Sequence, residues 1–341
     1  MKTIAMCALL AALAFGLLPG NRDEAAAPDE GLVLLVETGE EAVAPRKAAS
    51  AQQNESEAIM TQTAPDAQTV RLLDGGAVAE LSMEDYLTGV LLSEMPADFE
   101  PEARKAQAVA ARTFTCRKLL QPKHENADVC ADFSCCQAWT SREQLRQKYG
   151  ASFDAVWSAA REAVRQTAGE VLTYDGQLID AVYFSCSGGA TEAAVAVWGT
   201  DVPYLQAVES PGEEAAPRFS SRAVFSPEEF SQRLMQENSD VQLSGSPDAW
   251  LGETTRSAGG GAATCSIGGV SFSGTQLRRM FGLNSTRLTL SYQDGDFVFD
   301  VTGFGHRVGM SQYGAQTMAQ LGFSYRTILQ YYYQGAEVER Q

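Results

Sequence analysis

Histidine is nearly absent from this sequence, with two in 341 residues, and cysteine is held to seven. Basic residues are also short, 26 Lys and Arg against 43 Asp and Glu, which leaves a formal net charge of −17. Neutralising nucleic-acid phosphates takes a basic face, so this balance argues against a nucleic-acid partner. The chain opens on an apolar run, Thr3 to Leu18, that falls short of the roughly 20 residues a comfortable spanning helix takes. No internal repeat is visible, which sets aside solenoid architectures.

The first residues fix the compartment. A basic end at Lys2 followed by a short apolar run and Pro19-Gly20 is the pattern of an export signal. It is read either as a cleaved signal peptide or as an uncleaved single-pass anchor with Lys2 inside, the rest being extracytoplasmic. No A-x-A site follows the run directly, although Ala25-Ala26-Ala27 lies a little beyond, so cleavage stays open. Residues 1–20 are therefore taken as signal or membrane anchor. Residues 21–68, rich in Ala, Glu, Pro, Gln and Thr, read as a flexible acidic linker. One apolar patch within them, GLVLLVETG, is a candidate strand.

Residues 69–341 are expected to form a single α+β domain with mixed helices and strands and a substrate cleft. A hairpin is predicted around Asp74-Gly75-Gly76. Ser82 is a candidate N-cap, with Asp85 completing a capping-box pattern, and the helix after it puts Tyr86, Leu87, Val90 and Leu91 on a core face. Pro96 ends that helix, leaving Glu94 at its C-terminal end, where the helix dipole raises a carboxyl pKa. A second, alanine-rich helix starts at Pro101. It carries Lys105 and Arg112 on one face, about 10 Å apart at 1.5 Å per residue, either as a solvated stripe or as part of a site.

Three stretches, LTGVLLSEMPADFEPEARKAQAVAARTF, YFSCSGGATE followed by VWGTDVPYLQAVESP, and GFGHRVGMSQYGAQTMAQLG, together resemble the stage II sporulation protein D family. The resemblance runs from about Thr69 to the C-terminus and takes in the short N-terminal membrane segment. It implies a peptidoglycan lytic transglycosylase acting in forespore engulfment, in the space between mother cell and forespore. The expected partners are a sporulation amidase and a membrane scaffold protein, and the expected substrate is peptide-stripped glycan. On the family's S-E-M-P motif the catalytic acid falls on Glu94. Substrate-binding positions fall on Lys105, Arg112, Tyr183 and Ser187, and Glu192 stands where an acidic residue is usual. Cys186 stands where threonine is common, and Arg307 replaces the glycine after His306. The same superfamily includes amidase enhancers, which bind a wall hydrolase without turnover.

Cutting the glycan takes a proton on the glycosidic oxygen. A hydrolase adds a second carboxylate, whereas in a lytic transglycosylase the muramyl C6 hydroxyl attacks and one carboxyl both gives and regains the proton. A single Glu94 is enough for that route.

The stretch HENADVCADFSCCQ, residues 124–137, spends one histidine and three cysteines in a few residues. Disulfides are the ordinary use of cysteine in an exported chain, and the spacing His124-x5-Cys130-x5-Cys136 is not that of a zinc finger. Some members of the family carry this set as a zinc site near the catalytic glutamate, so the resemblance implies zinc on His124, Cys130 and Cys136, with Cys135 outside the set. Three protein ligands would leave one position open. The role expected for the metal is structural or cleft-organising, a zinc-dependent wall hydrolase being the alternative.

Overall fold

The computed structural model describes residues 69–341, so the signal or anchor, the acidic linker and the GLVLLVETG strand lie outside the described residues. Strands β1 (Thr69–Asp74) and β2 (Ala77–Ser82) pair antiparallel around the expected Gly75-Gly76 turn. Ser82 caps helix α1 (Met83–Glu94), its Oγ accepting from the Asp85 N–H at 3.1 Å. The Asp85 carboxylate accepts from the Ser82 hydroxyl at 2.9 Å, its side chain being a methylene shorter than the Glu or Gln of a full capping box. The backbone turns extended at Met95, before Pro96, and α1 stops with Glu94 as its last residue.

Helix α2 (Pro101–Leu120) is the central beam, and its alanines explain how it fits. Ala103, Ala108 and Ala111 pack into one core with Val70, Leu72, Tyr86 and Leu91, which the helix Phe153–Gln166 closes. Ala106, Val109 and Ala110 pack into a second core with Leu172, Met310, Ile328 and Tyr332. Side chains this small let a helix be covered on two sides without voids. The short strand β3 (Val129–Cys130) adds to β1 in parallel, Leu73 opposite Cys130, and delivers the cysteine-rich loop to the end of α1.

The mixed α+β class holds, with one feature the periodicity did not show. Residues 220–302 build a core of their own from two three-stranded antiparallel sheets and the helices Pro227–Glu237 and Gly274–Phe281. Its centre is aromatic, with Phe230 stacked on Phe297 at 3.8 Å between ring centroids.

Arg307 is the rivet between that unit and the rest. Its buried guanidinium donates to the carbonyls of Ser187, Ala190 and Gly259 at 2.8, 2.7 and 2.6 Å and pairs with Glu192 at 3.0 Å. Burial lowers its pKa to about 10, so it keeps its charge at neutral pH. Its φ of 68° is the left-handed backbone that glycine adopts most readily, which is the residue of the resembled family at this place. The arginine keeps that bend, and its hydrogen bonds offset the cost. Among the described residues no helix is long and apolar enough to cross a membrane.

Candidate active site

Glu94 is partly exposed at the C-terminal end of α1, its carboxyl packed among uncharged donors. The Ala138 N–H donates to its Oε1 at 2.8 Å, and the polar side chains of Gln312 and Tyr183 lie against the carboxyl. All three neighbours favour the carboxylate, but desolvation outweighs them and raises the pKa from 4.5 to about 7. The upward direction matches expectation. Its cause is burial rather than the helix dipole.

A layer of amides and phenols surrounds this carboxyl. Gln137 donates to Thr115 Oγ1 at 3.0 Å and to the Tyr86 hydroxyl at 3.3 Å, and accepts from the Tyr183 hydroxyl at 2.8 Å. Gln312 donates to Gln107 Oε1 at 3.5 Å. Burial holds Tyr86 and Tyr183 well above the usual phenol range, so both stay neutral. His306 is also neutral, its pKa pulled down to about 4 by burial. It accepts from the Val308 N–H on Nδ1 at 3.1 Å and lies against the Tyr183 backbone, which makes it a prop for that strand.

Tyr183 is the one expected substrate-binding residue that the structure brings to Glu94. At about 100° per residue along α2, Lys105 and Arg112 lie on a different side from Gln107, which faces the site. Lys105 pairs with Glu102 and lies 5.2 Å from the Tyr325 ring centroid. Arg112 is fully buried and donates to the Val164 and Glu170 carbonyls at 2.9 and 3.2 Å, bracing the end of helix Phe153–Gln166. Ser187 is fully buried too, its hydroxyl donating to Glu213 at 2.8 Å. Neither Lys105 nor Arg112 therefore bears on the Glu94 carboxyl, whose pKa is set by burial and uncharged neighbours.

The cysteine-rich loop sits against the same helix end. The six cysteines among the described residues are all free thiols. His124, Cys130, Cys135 and Cys136 bring their donor atoms within 4.8 Å of one another. Both Cys135 Sγ and Cys136 Sγ lie 3.6 Å from His124 Nε2, and they are 4.0 Å apart. Zinc bonds of about 2.3 Å to sulfur and 2.0 Å to nitrogen give tetrahedral edges of roughly 3.5–3.8 Å, so the donor set fits. Cys135, which the resemblance leaves outside the set, stands with the other three. The turn at Asp132 is the reason: its carbonyl accepts from both the Cys135 and Cys136 N–H groups, at 3.1 and 2.8 Å, folding both thiols inward. Burial and crowding push the Cys136 thiol up to about 12, a penalty that a bound divalent cation reverses.

The residues after Cys136 run straight onto Glu94. Gln137 and Ala138 supply the contacts above, Trp139 packs on Gly89, and Thr140 accepts from Ser93 at 2.8 Å. A Cβ at Gly89 would collide with the Trp139 indole and come within 3.1 Å of the Thr140 carbonyl. Gly89→Ala should therefore push residues 138–140 off α1, costing about 1–3 kcal/mol as overpacking does. It should also admit water and bring the Glu94 titration back down toward the ordinary carboxyl range. Thermal melts and carboxyl NMR check both, and an unchanged titration with unchanged stability contradicts the arrangement.

Gln137, Ala138 and Gln312 were not singled out from sequence, and Cys135 was set aside. Gln137 directly follows the cysteine pair and Gln312 lies inside the GMSQYGAQ motif, so position was the only available signal.

A family model described as Stage II sporulation protein matches residues 74–174. The chain is 38% identical over 266 residues to stage II sporulation protein D of Bacillus subtilis, covering 77% of this chain and 76% of that protein. It is 37% identical to the protein of that name from Bacillus amyloliquefaciens, over 77% of this chain and 75% of the other. It is also 30% identical to the amidase enhancer of Bacillus subtilis over 73% of this chain, spanning 39% of that longer protein.

Proposed function

Because the chain belongs to the stage II sporulation protein D family, we propose that it is a sporulation lytic transglycosylase with Glu94 as its acid and base. The observation that carries this reading is a reachable glutamate whose pKa is about 7, set by burial and uncharged donors. The protonated carboxyl gives its proton to the oxygen between N-acetylmuramic acid and N-acetylglucosamine. As the bond from that oxygen to the anomeric carbon breaks, the muramyl C6 hydroxyl closes on the carbon. Its proton passes to the carboxylate, leaving a 1,6-anhydro end and a regenerated acid. Tyr183 and Gln312 hold the carboxyl in place through both states, and Ala138 N–H fixes one oxygen.

His124, Cys130, Cys135 and Cys136 would hold zinc. The chemistry it supplies there is a cross-link fixing the loop that carries Gln137 and Ala138. Four protein donors complete a tetrahedron, which favours a structural centre over the alternative of a zinc-dependent hydrolase with an open position.

The reading extends, as the resemblance does, to engulfment, to peptide-stripped glycan as substrate, and to an amidase and a membrane scaffold protein as partners. It also takes residues 1–20 as signal or single-pass anchor, with the domain extracytoplasmic. Similarity to an amidase enhancer supports a second reading, a wall-binding partner of an amidase without turnover. Product formation separates the two, since a partner without turnover gives no anhydro ends, and the pH profile then tests Glu94 itself. With Glu94 protonated only below about 7, kcat/KM for glycan cleavage should fall tenfold per pH unit above neutrality. A flat profile from pH 6 to 9 would reject Glu94 as the acid.

A further inference from the structure

We propose that Glu213 is a positioning residue for this centre, stapling together the two short strands that press Tyr183 and Gln312 onto Glu94. The proposal rests on the transglycosylase reading for its kinetic test only. Glu213 is 1% exposed, and its carboxylate takes five hydrogen bonds from uncharged donors. Oε2 accepts from Ser187 N–H at 2.6 Å, Ser187 hydroxyl at 2.8 Å and Gly188 N–H at 2.9 Å. Oε1 accepts from the hydroxyls of Ser210 and Ser311 at 2.6 and 2.5 Å.

The geometry gives these bonds a purpose. Tyr183 lies on the strand Tyr183–Phe184, and Gln312 directly follows the strand Met310–Ser311. The two strands pair in parallel over only two positions, Met310 with Tyr183 and Ser311 with Phe184. So short a ladder holds its register weakly. Glu213 grips the chain just beyond the first strand at Ser187 and Gly188, and the second at Ser311, so one buried side chain bridges both. Ser311 is also the N-cap of helix Gln312–Gln320, accepting from the Gly314 N–H at 3.1 Å. Its hydroxyl thereby fixes where the helix begins and where Gln312 points. Gly314 lets the staple sit close, since a Cβ there would strike the Ser210 and Tyr332 hydroxyls and lie 2.9 Å from the Glu213 carboxylate.

Burying a carboxylate is costly unless it is well hydrogen-bonded, and here the bonds, not the charge, do the positioning. An amide can reproduce them. In Glu213→Gln the amide oxygen still accepts from Ser187 and Gly188, while the NH2 donates to Ser210 and Ser311. Those hydroxyls have other acceptors to turn to, Tyr332 at 2.7 Å and the Ser185 carbonyl at 3.3 Å.

The test compares Glu213→Ala, Glu213→Gln and Ser210→Ala in the otherwise intact chain, using anhydro-product kinetics on stripped glycan and NMR of the Gln312 side-chain amide. Glu213→Ala should lower kcat by about tenfold or more, on the scale of misplacing a reacting group by a fraction of an ångström to 1 Å, with KM within about twofold. Its Gln312 amide signal should shift and broaden. Glu213→Gln should restore both readouts, and Ser210→Ala, which removes a donor attached to neither strand, should change neither. Glu213→Asp, too short to bridge both strands, replaces the alanine variant if that one fails to fold, with the same expectation. A folded Ala or Asp variant with wild-type kcat and an unmoved Gln312 signal overturns the proposal. Absence of anhydro product from the wild-type chain would count against the enzymatic reading instead, and the Gln312 signal would then decide the staple by itself.

Discussion

Glu94→Gln should reduce anhydro-product formation by at least about a hundredfold, the scale of lost general acid catalysis, while making the protein more stable above neutral pH. Glutamine keeps the size of the side chain and an oxygen for the Ala138 N–H, but it has no proton to give. The stability gain follows from the raised pKa. Folding moves the Glu94 pKa up from 4.5 to about 7, so the folded protein prefers the neutral carboxyl. No penalty applies below the unfolded pKa; it grows as pH rises from there and is complete once the folded pKa is passed. At full ionisation it amounts to about 3 kcal/mol, at 1.36 kcal/mol per pKa unit. The variant should therefore melt higher than wild type at pH 8 and close to it at pH 4. An equal melting temperature at pH 8 would mean Glu94 is not desolvated in the folded protein, and near-wild-type product yield would move the acid to another residue.

The second large effect concerns the metal loop. If the proposed site holds about one zinc per chain, Cys135→Ser and Cys136→Ser should each strip it, because both thiols stand 3.6 Å from His124 Nε2. Metal-binding free energy becomes folding free energy where the open chain has no site. Losing about 2–3 kcal/mol of it in a domain of this size should lower Tm by roughly 5–10 °C. Product formation should fall as well, since Gln137 and Ala138 lose the anchor that holds them on Tyr86, Thr115 and Glu94. Metal analysis, thiol titration and melting curves under oxidising and reducing conditions make the comparison. Zinc retained by Cys135→Ser alone would return the site to His124, Cys130 and Cys136 with an open position. A metal-free wild type with Cys130 or Cys136 in a disulfide would replace the metal with a staple.

How far the sequence carried this picture depended on how local the cause was. The hairpin, the Ser82 cap, the stop before Pro96 and the Pro101 start were legible because each follows from neighbouring residues. Glu94 at the end of α1 followed from the same signals. The surroundings of Glu94 did not, since Gln137, Tyr183 and Gln312 come from three distant segments and meet only through tertiary packing. Lys105 and Arg112 show the limit of spacing: seven residues apart they do share a face, but nothing local says what that face meets. Cys135 was hidden for another reason. Adjacent side chains ordinarily diverge, and the turn at Asp132 that folds both thiols inward is a backbone event. The aromatic unit of residues 220–302 escaped because its strands are short and their partners are far along the chain.

The most direct test of the central claim is mass-spectrometric identification of the ends made by the purified chain from glycan strands, with and without stem peptides. A glycan-cleaving transglycosylase with one carboxyl should yield 1,6-anhydro-muramyl ends from stripped strands, in wild type and not in Glu94→Gln. Reducing ends from net hydrolysis, freed peptides, or no product under conditions where the chain is folded and metal-loaded would contradict it.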